Sequence, residues 1–198
     1  MIVKDHFLTG ERFEIKKVSD GVLTTLPKIN TKDLRSYYDS KNYHSHKSSK
    51  SLLSMFYDVS SRFMVWRKVK LTSRFSKNKK SILDFGCGRG GFLMSAKKAG
   101  FEVCGVDVIT AAHKELEAKN IKVYNKLESL SSPVNTITFW HSLEHINDVN
   151  QTLMSCRKFL KDKGILIVAV PNHDSFDAKH YKSFWAAYDV PRHRFHFN

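Results

Sequence analysis

The sequence predicts an α/β fold, a mostly parallel β-sheet with helices on both faces, and three observations support this prediction. Short apolar segments alternate with helix-forming segments from residue 81 to residue 170. A glycine-dense turn follows the first apolar segment and leads directly into a helix-forming one. The second apolar segment ends in an acidic residue, Asp107. A strand, a glycine turn and a helix in this order form the nucleotide-binding edge of an α/β sheet.

The residues before position 81 predict a smaller part of different character. Residues 4–26 alternate as in a small β-meander, 31–38 indicate a short helix and 39–49 a polar loop. Residues 49–75 predict one long helix, and 76–80 form a basic linker. Apolar residues at spacings of three and four predict a helix face docked on the core: Leu52, Phe56, Val59, Phe63, Trp66 and Val69.

The alternating part predicts five strands and three helices. The predicted strands are 81–85, 102–107, 121–124, 135–140 and 164–170. The predicted helices are 90–99, 110–119 and 148–161, the last ending at a glycine C-cap, Gly164. We therefore expect two domains, with residues 1–80 as a β-meander plus a helical lid or docking segment and 81–198 as the cofactor-binding domain.

Composition narrows the class of protein. The chain of 198 residues is 41% hydrophobic, which is enough for a full core, and no apolar run is long enough to span a membrane. The first residues lack a signal-peptide pattern. The three cysteines are widely spaced, so we expect no disulfide framework, no zinc site and a reducing, cytoplasmic location.

The net charge of +14 is concentrated near the N-terminus. Residues 1–80 hold 18 Lys/Arg against 7 Asp/Glu, whereas residues 81–198 hold 15 against 12. Such an excess attracts nucleic acid, an anionic lipid surface or an acidic small substrate, and an ordinary solvated basic surface explains it equally well.

The glycine turn, considered alone, is compatible with two different cofactors. Gly86, Gly88 and Gly91 satisfy the dinucleotide pattern G-x-G-x-x-G, with Asp107 at the distance of a ribose-binding acid. Asp84, two residues before the first glycine, instead suits the ammonium and sulfonium of S-adenosylmethionine (SAM). With either cofactor Asp107 can accept both ribose hydroxyls, although it can also simply cap the next helix.

The run from Asp84 to Gly90 resembles the first motif of class I SAM-dependent methyltransferases. Leu143-Glu-His145 after the fourth strand, Pro171-Asn172, and the segment 189–197 resemble one branch of them, the type 23 or ubiquinone/menaquinone-methyltransferase-like family. The resemblance implies a Rossmann-like sheet of seven strands. Too few residues follow Pro171 for the last two strands, so we expect a sheet without this C-terminal pair, as in a truncated chain.

The resemblance implies methyl transfer from SAM to an O, N or C atom of a small molecule, which leaves S-adenosylhomocysteine (SAH). It implies cofactor contacts at the glycine turn and at the ends of three strands: Asp84, Gly86, Cys87, Gly88, Gly90, Asp107, Val108 and Ser142. His141 and His145 are candidate general bases because imidazole titrates near neutral pH, while each can also be structural.

The remaining candidates concern a metal and the acceptor. Glu144 with His145 resembles a pair that holds a divalent metal in some quinone-precursor O-methyltransferases, but two adjacent ligands do not define a site and we expect none. The resemblance places the cluster of Arg192, His193, Arg194 and His196 over the active-site mouth, where it could bind an anionic acceptor or be only a surface turn. Position alone suggests Tyr43 and His46 as parts of a lid.

Three other functions stay open from the sequence. The basic N-terminal part is compatible with an RNA-directed methyltransferase. The glycine turn alone is compatible with a nicotinamide-dependent oxidoreductase, which leaves Leu143-Glu-His145 unexplained. The missing strands are compatible with a SAM-binding protein without catalytic activity.

Overall fold

The computed structural model of the chain describes residues 1–30, 33, 37, 52–76, 80–108 and 113–198. The predicted loop 39–49 and most of the predicted helix 31–38 lie outside these residues. The chain divides into two compact units. The meander unit comprises Met1–Ser48, Leu143–Asn147 and Val170–Asn198, and the parallel-sheet unit comprises Ser49–Ser142 and Asp148–Ala169. The functional boundary expected at residue 80 stays a prediction.

The strands of the described residues are numbered in chain order. They are β1 Ile2–Lys4, β2 Arg12–Ser19, β3 Val22–Leu26, β4 Ser81–Phe85, β5 Glu102–Val106, β6 Lys122–Tyr124, β7 Val134–Trp140, β8 Leu160–Ala169 and β9 Phe195–Phe197. The α-helices of the same residues are α1 Leu52–Phe75, α2 Gly91–Lys98, α3 His113–Glu117, α4 Val149–Phe159 and α5 Phe176–Tyr181.

The parallel-sheet unit is built on five strands in the order β6-β5-β4-β7-β8, all pairing in parallel. Strand β4 therefore lies at the centre, with β5 on one side and β7 on the other. Parallel strands end at one edge of a sheet, so the segments that follow β4, β5 and β7 meet there. This order confirms the predicted α/β fold and places the glycine turn at the switch point, where ligands bind in such sheets.

Helices α1 and α2 cover one face of this sheet. Ile82, Leu93 and Ala96 are completely buried there, and Val69 of α1 packs against the same cluster. Alternate residues of a strand face one side, so Asp84 lies on the same face as Ile82. Helix α1 thus covers the sheet face from which the Asp84 side chain projects.

The predicted docking of the whole apolar stripe of α1 is wrong. Val59, Phe63 and Trp66 are 65%, 54% and 52% exposed. The helix is buried through its C-terminal end instead, where Thr72 is fully buried and the Ser76 hydroxyl lies 2.8 Å from that of Thr136. Short hydroxyl side chains allow the backbone to approach the sheet closely, and the apolar periodicity does not reveal this contact.

The predicted glycine C-cap after the third helix is also wrong. Helix α4 ends at Phe159, and Leu160 is already extended and pairs with Val134 of β7. The next pair joins Thr136 to Ile165, so residues 161–164 form an irregular excursion within β8. The sequence of this excursion was interpreted as a helix end because polar residues followed by glycine occur both at helix ends and in β-bulges.

The meander unit contains an antiparallel sheet in the order β1-β2-β3-β9. Its core includes Phe13, Ile15 and Val190. The sequence analysis did not predict the strand formed by residues 195–197, β9, which pairs with β3 and brings His196 opposite Leu23. None of the helices in the described ranges combines the length and apolar character needed to span a bilayer.

We expect Leu93→Ala to lower the free energy of unfolding by about 2–5 kcal/mol, because it leaves a cavity in the fully buried core of the parallel-sheet unit. Urea denaturation measures this loss. The matched control is Leu166→Ala on β8, where the side chain is 37% exposed and the loss should stay below about 1 kcal/mol. Equal losses in both variants would contradict this description of the core.

Candidate active site

The turn after β4 is held by main-chain hydrogen bonds. The N–H groups of Gly86 and Cys87 donate to the Val106 carbonyl at 2.7 and 3.2 Å, and that of Gly90 donates to the Cys87 carbonyl at 2.9 Å. These bonds tie the turn to the end of β5 and set the start of α2 at Gly91.

Glycine is required at two points of this turn for different reasons. Gly86 has a φ of +73°, and an added Cβ would lie 2.5 Å from Cβ of Ser142. Gly88 has a φ of +51°, and an added Cβ would meet no protein atom within 4 Å. The first glycine lets two strand ends approach each other, and the second leaves open space beside bare backbone.

Asp107 follows β5 and faces the turn. Its Oδ2 accepts a hydrogen bond of 2.7 Å from the N–H of Gly88. A carboxylate accepts several hydrogen bonds, so an oriented Asp107 can still accept from a ribose diol. Val108 next to it is 77% exposed and offers an apolar surface to a ring. Both cofactor contacts stay predictions.

Asp84 is a buried carboxylate at the end of the central strand, with 4% of its surface exposed. Burial raises its pKa to about 7, against the hydrogen bond from Thr138 and the charge of Lys68, which lower it. The Thr138 hydroxyl donates to Asp84 Oδ1 at 2.7 Å. The side chain is therefore poised between its neutral and ionised forms near neutral pH.

Lys68 is the basic group that acts on Asp84, and the sequence reasoning missed it. Its Nζ lies 5.2 Å from the centroid of the Trp140 ring, and burial lowers its pKa. The indole N–H of Trp140 is buried without a hydrogen-bond partner in the described part of the chain. No local pattern marks Lys68, whereas Thr138 could have been inferred from the parallel pairing of β4 with β7, where it stands opposite Asp84.

Cys87 is packed into the core rather than exposed to a ligand. The thiol is buried, and this burial raises its pKa to about 12. An added Cβ at Gly105 would lie 2.5 Å from Cys87 Sγ, so the thiol packs closely on β5. Any cofactor contact of Cys87 therefore involves its backbone.

Ser142 and His141 form the end of β7. The Ser142 hydroxyl donates to the Phe85 carbonyl at 2.5 Å and joins the ends of the two central strands. His141 has an exposed side chain and a left-handed backbone with φ +57°. This conformation is uncommon for a residue other than glycine and occurs often at functional sites. The roles of both residues as ligand contacts stay predictions.

Glu144 and His145 belong to the meander unit, in the 3-10 turn Leu143–His145. There they lie beside His193, whose ring centroid is 4.6 Å from that of His145. Burial and the nearby His193 lower the pKa of His145. His145 is therefore a neutral imidazole at neutral pH, the form that a general base requires.

The cluster after Pro191 is buried, not a surface turn. Arg192 is 1% exposed, and its Nη2 lies 2.6 Å from Asp189 and 3.3 Å from Asp5. Burial lowers the pKa of His196 to about 3, and its Nε2 lies 2.9 Å from the Thr25 hydroxyl. These contacts favour a structural role for Arg192, whose predicted contact with an acceptor is untested. Tyr43 and His46 lie outside the described residues.

A parallel sheet with a glycine turn and two strand-end carboxylates defines a Rossmann-like cofactor-binding domain. A family model described as a methyltransferase domain matches residues 59–198. The chain belongs to this methyltransferase family. The family and the fold class predicted from the sequence are thereby confirmed, and so is SAM, the cofactor that this family uses.

Two curated relatives have similar sequences. An uncharacterised protein of Methanocaldococcus jannaschii is 30% identical over 149 residues, which cover 73% of this chain and 63% of that protein. A ubiquinone biosynthesis O-methyltransferase of Actinobacillus pleuropneumoniae is 30% identical over 108 residues, which cover 47% of this chain and 46% of that enzyme. The chain thus spans less than two thirds of the length of either relative.

Solved structures share the fold. Magnesium protoporphyrin IX methyltransferase from Synechocystis with bound SAH superposes with a TM-score of 0.57 at 16% identity and covers 77% of each chain. A SAM-dependent methyltransferase from Archaeoglobus fulgidus superposes with a TM-score of 0.50 at 22% identity, over 73% of this chain and 67% of that one.

We expect Asp84→Asn to stabilise the cofactor-free protein at high pH. The raised pKa means that the folded state binds this proton more tightly than the unfolded chain, so the free energy of unfolding falls as the pH rises from about 4 to about 7. The variant lacks this loss and should be more stable than the wild type by about 4 kcal/mol at pH 8, with little difference at pH 4. Urea denaturation at both pH values measures it. The exposed Asp58→Asn is the control, and a destabilised Asp84→Asn at pH 8 would contradict the expectation.

We expect Lys68→Met to move the same pH dependence upward. The Lys68 charge lowers the pKa of Asp84, so its removal should extend the fall in stability to higher pH. The pH profile of the urea midpoint measures this shift. Lys70→Met is the matched control, because Lys70 lies on the same helix but over the exposed ring of Trp66. Identical profiles for both variants would show that Lys68 does not act on Asp84.

Proposed function

We propose that this chain is a SAM-dependent methyltransferase that transfers a methyl group to an O, N or C atom of a small molecule and releases SAH. The observation that carries the proposal is the geometry at the ends of β4 and β5. There the turn leaves open space at Gly88, Asp107 accepts from the Gly88 amide, and a second carboxylate, Asp84, ends β4, in a chain of the methyltransferase family.

The chemistry of these residues fits SAM. A buried carboxylate at Asp84 is a partner for the ammonium of the methionine part, whose positive charge would favour the ionised form of Asp84. Asp107 is held by the Gly88 amide in a position to accept hydroxyl groups. Both groups are tied to strand ends, so the site is oriented before the cofactor binds.

SAM supplies an activated methyl group, so the chain mainly binds, orients and excludes water. A hydroxyl acceptor also needs a group that removes its proton. His141, exposed at the end of β7, and His145, neutral because of its lowered pKa, are the proposed bases. Glu144 raises the pKa of His145 and supports it in accepting a proton.

Two observations support an anionic small molecule as the methyl acceptor, namely the names of the curated relatives and the positive charge of the N-terminal part. The curated relatives include ubiquinone biosynthesis O-methyltransferases, whose name denotes a small-molecule pathway. The excess of Lys and Arg before residue 81 favours an anionic acceptor. His193, Tyr43 and His46 are the residues proposed to contact it. The three cysteines are free thiols, which supports the proposed cytoplasmic location.

A second candidate is an RNA-directed methyltransferase, and one observation favours it. Helix α1 exposes Phe63 and Trp66, which stack with their centroids 5.7 Å apart, and Lys70 lies 4.9 Å from the Trp66 ring. Exposed aromatic rings beside cations are a platform for unpaired bases. RNA binding that weakens steeply with salt, and that is lost in Trp66→Ala, would favour this candidate.

We expect calorimetric titration to show saturable binding of SAH and none of NADH. Asp107→Asn should weaken SAH binding about 10- to 100-fold, because it removes charge-assisted hydrogen bonds to the ribose. Glu102→Gln, an exposed acid at the start of β5, should bind like the wild type. Binding of NADH, or of SAH with equal affinity in Asp107→Asn, would contradict the proposed site.

A further inference from the structure

Two imidazoles and one carboxylate converge in the meander unit. Glu144 and His145 come from the 3-10 turn Leu143–His145, and His193 comes from the segment before β9. Each of the three offers one possible ligand atom, and these atoms lie within 4.8 Å of one another. Nε2 of His193 is 4.0 Å from Oε1 of Glu144.

Backbone carbonyls determine the tautomers of both imidazoles. Nδ1 of His145 lies 3.0 Å from the carbonyl of Arg192, and Nδ1 of His193 lies 2.8 Å from the carbonyl of Ala187. A carbonyl only accepts, so both Nδ1 atoms carry a proton, and in the neutral form of each ring the lone pair is at Nε2. A histidine that binds a metal typically donates its other N–H in this way, which fixes the ring and raises its basicity.

The two segments that carry these residues are fixed to each other. The Arg194 N–H donates to the Glu144 carbonyl at 2.8 Å, next to the His145 bond to Arg192. The Arg192 guanidinium is in turn held by Asp189, so the residue whose carbonyl orients His145 is itself anchored. Such support around the ligands is what holds a metal site at the right geometry.

We infer that Glu144, His145 and His193 bind a divalent transition-metal ion, with Zn²⁺ as the best match. Two imidazole nitrogens and one carboxylate oxygen suit Zn²⁺, whereas Mg²⁺ and Ca²⁺ prefer oxygen ligands throughout. Zinc bonds of about 2.0–2.2 Å require ligand atoms that lie up to 4.8 Å apart to approach by up to about 1.4 Å on binding. Three protein ligands leave one tetrahedral position for water or for an oxygen of a bound molecule.

This inference departs from the expectation of no metal, which rested on two adjacent residues. The third ligand, His193, comes from a distant segment of the chain, and only the fold brings it beside Glu144. The site lies entirely within the meander unit. A metal bound at Nε2 of His145 would occupy the lone pair that His145 would need as a general base, which would leave His141 as the proposed base.

The experiment uses the whole chain, freed of metal with a chelator and titrated with Co²⁺. We expect one ion per chain and the visible d–d absorption of a low-symmetry, roughly tetrahedral Co²⁺ site. Competition with a chromophoric chelator then gives the Zn²⁺ affinity. His193→Gln and Glu144→Gln should weaken it at least about 10-fold. The matched control, His180→Gln, replaces an exposed histidine of helix α5 and should leave it unchanged.

Folding of each variant is checked by circular dichroism. Thermal unfolding with and without Zn²⁺ gives a second measure, because binding to the folded state raises the midpoint. We expect this rise in the wild type and in His180→Gln and its absence in His193→Gln. If Glu144→Gln does not fold, His193→Gln decides the question. No saturable Co²⁺ site in the wild type, or equal Zn²⁺ affinity in His193→Gln and His180→Gln, would overturn the inference.

Discussion

The main constraint on the parallel-sheet unit is a buried carboxylate, Asp84, at the end of its central strand. Burial disfavours its charge, and among the described residues a hydroxyl from β7 and a half-buried ammonium from α1 offset the cost. A stable protein without a ligand would place an apolar residue here. A buried acid at this point therefore agrees with the proposed site, which a cationic ligand would complete. Without the ligand, the protein is less stable than it would be with an apolar residue at position 84.

The larger sheet could be predicted from sequence because its information is local. Strand, glycine turn and helix follow each other within residues 81–98, and parallel pairing then places Asp84 and Asp107 at one edge. Lys68 and Thr138 could not be found in the same way, because their contacts with Asp84 depend on pairing and helix docking far along the chain. The prediction that the apolar stripe of α1 docks on the core was wrong for a similar reason. Periodicity indicates which residues share a helix face, and it does not indicate whether anything packs on that face.

In the C-terminal segment, by contrast, the local composition suggested the wrong environment for the side chains. A run of Arg and His after Pro191 has the composition of a surface, yet each of these residues is at most 9% exposed. Cations can be buried when carboxylates such as Asp5 and Asp189 lie beside them. Asp5 is far away in the sequence, so the compensation is invisible until the antiparallel sheet forms.

The pairing of β9 with β3 links residues 195–197 to residues 22–24. During synthesis, the first three strands leave the ribosome long before their partner does, whereas the strands of the parallel sheet are already complete by residue 169. The meander unit therefore reaches its native sheet last, and until then β3 presents an unpaired edge to other chains. The antiparallel sheet, whose first three strands are made early, is therefore complete only after residues 195–197 have been made.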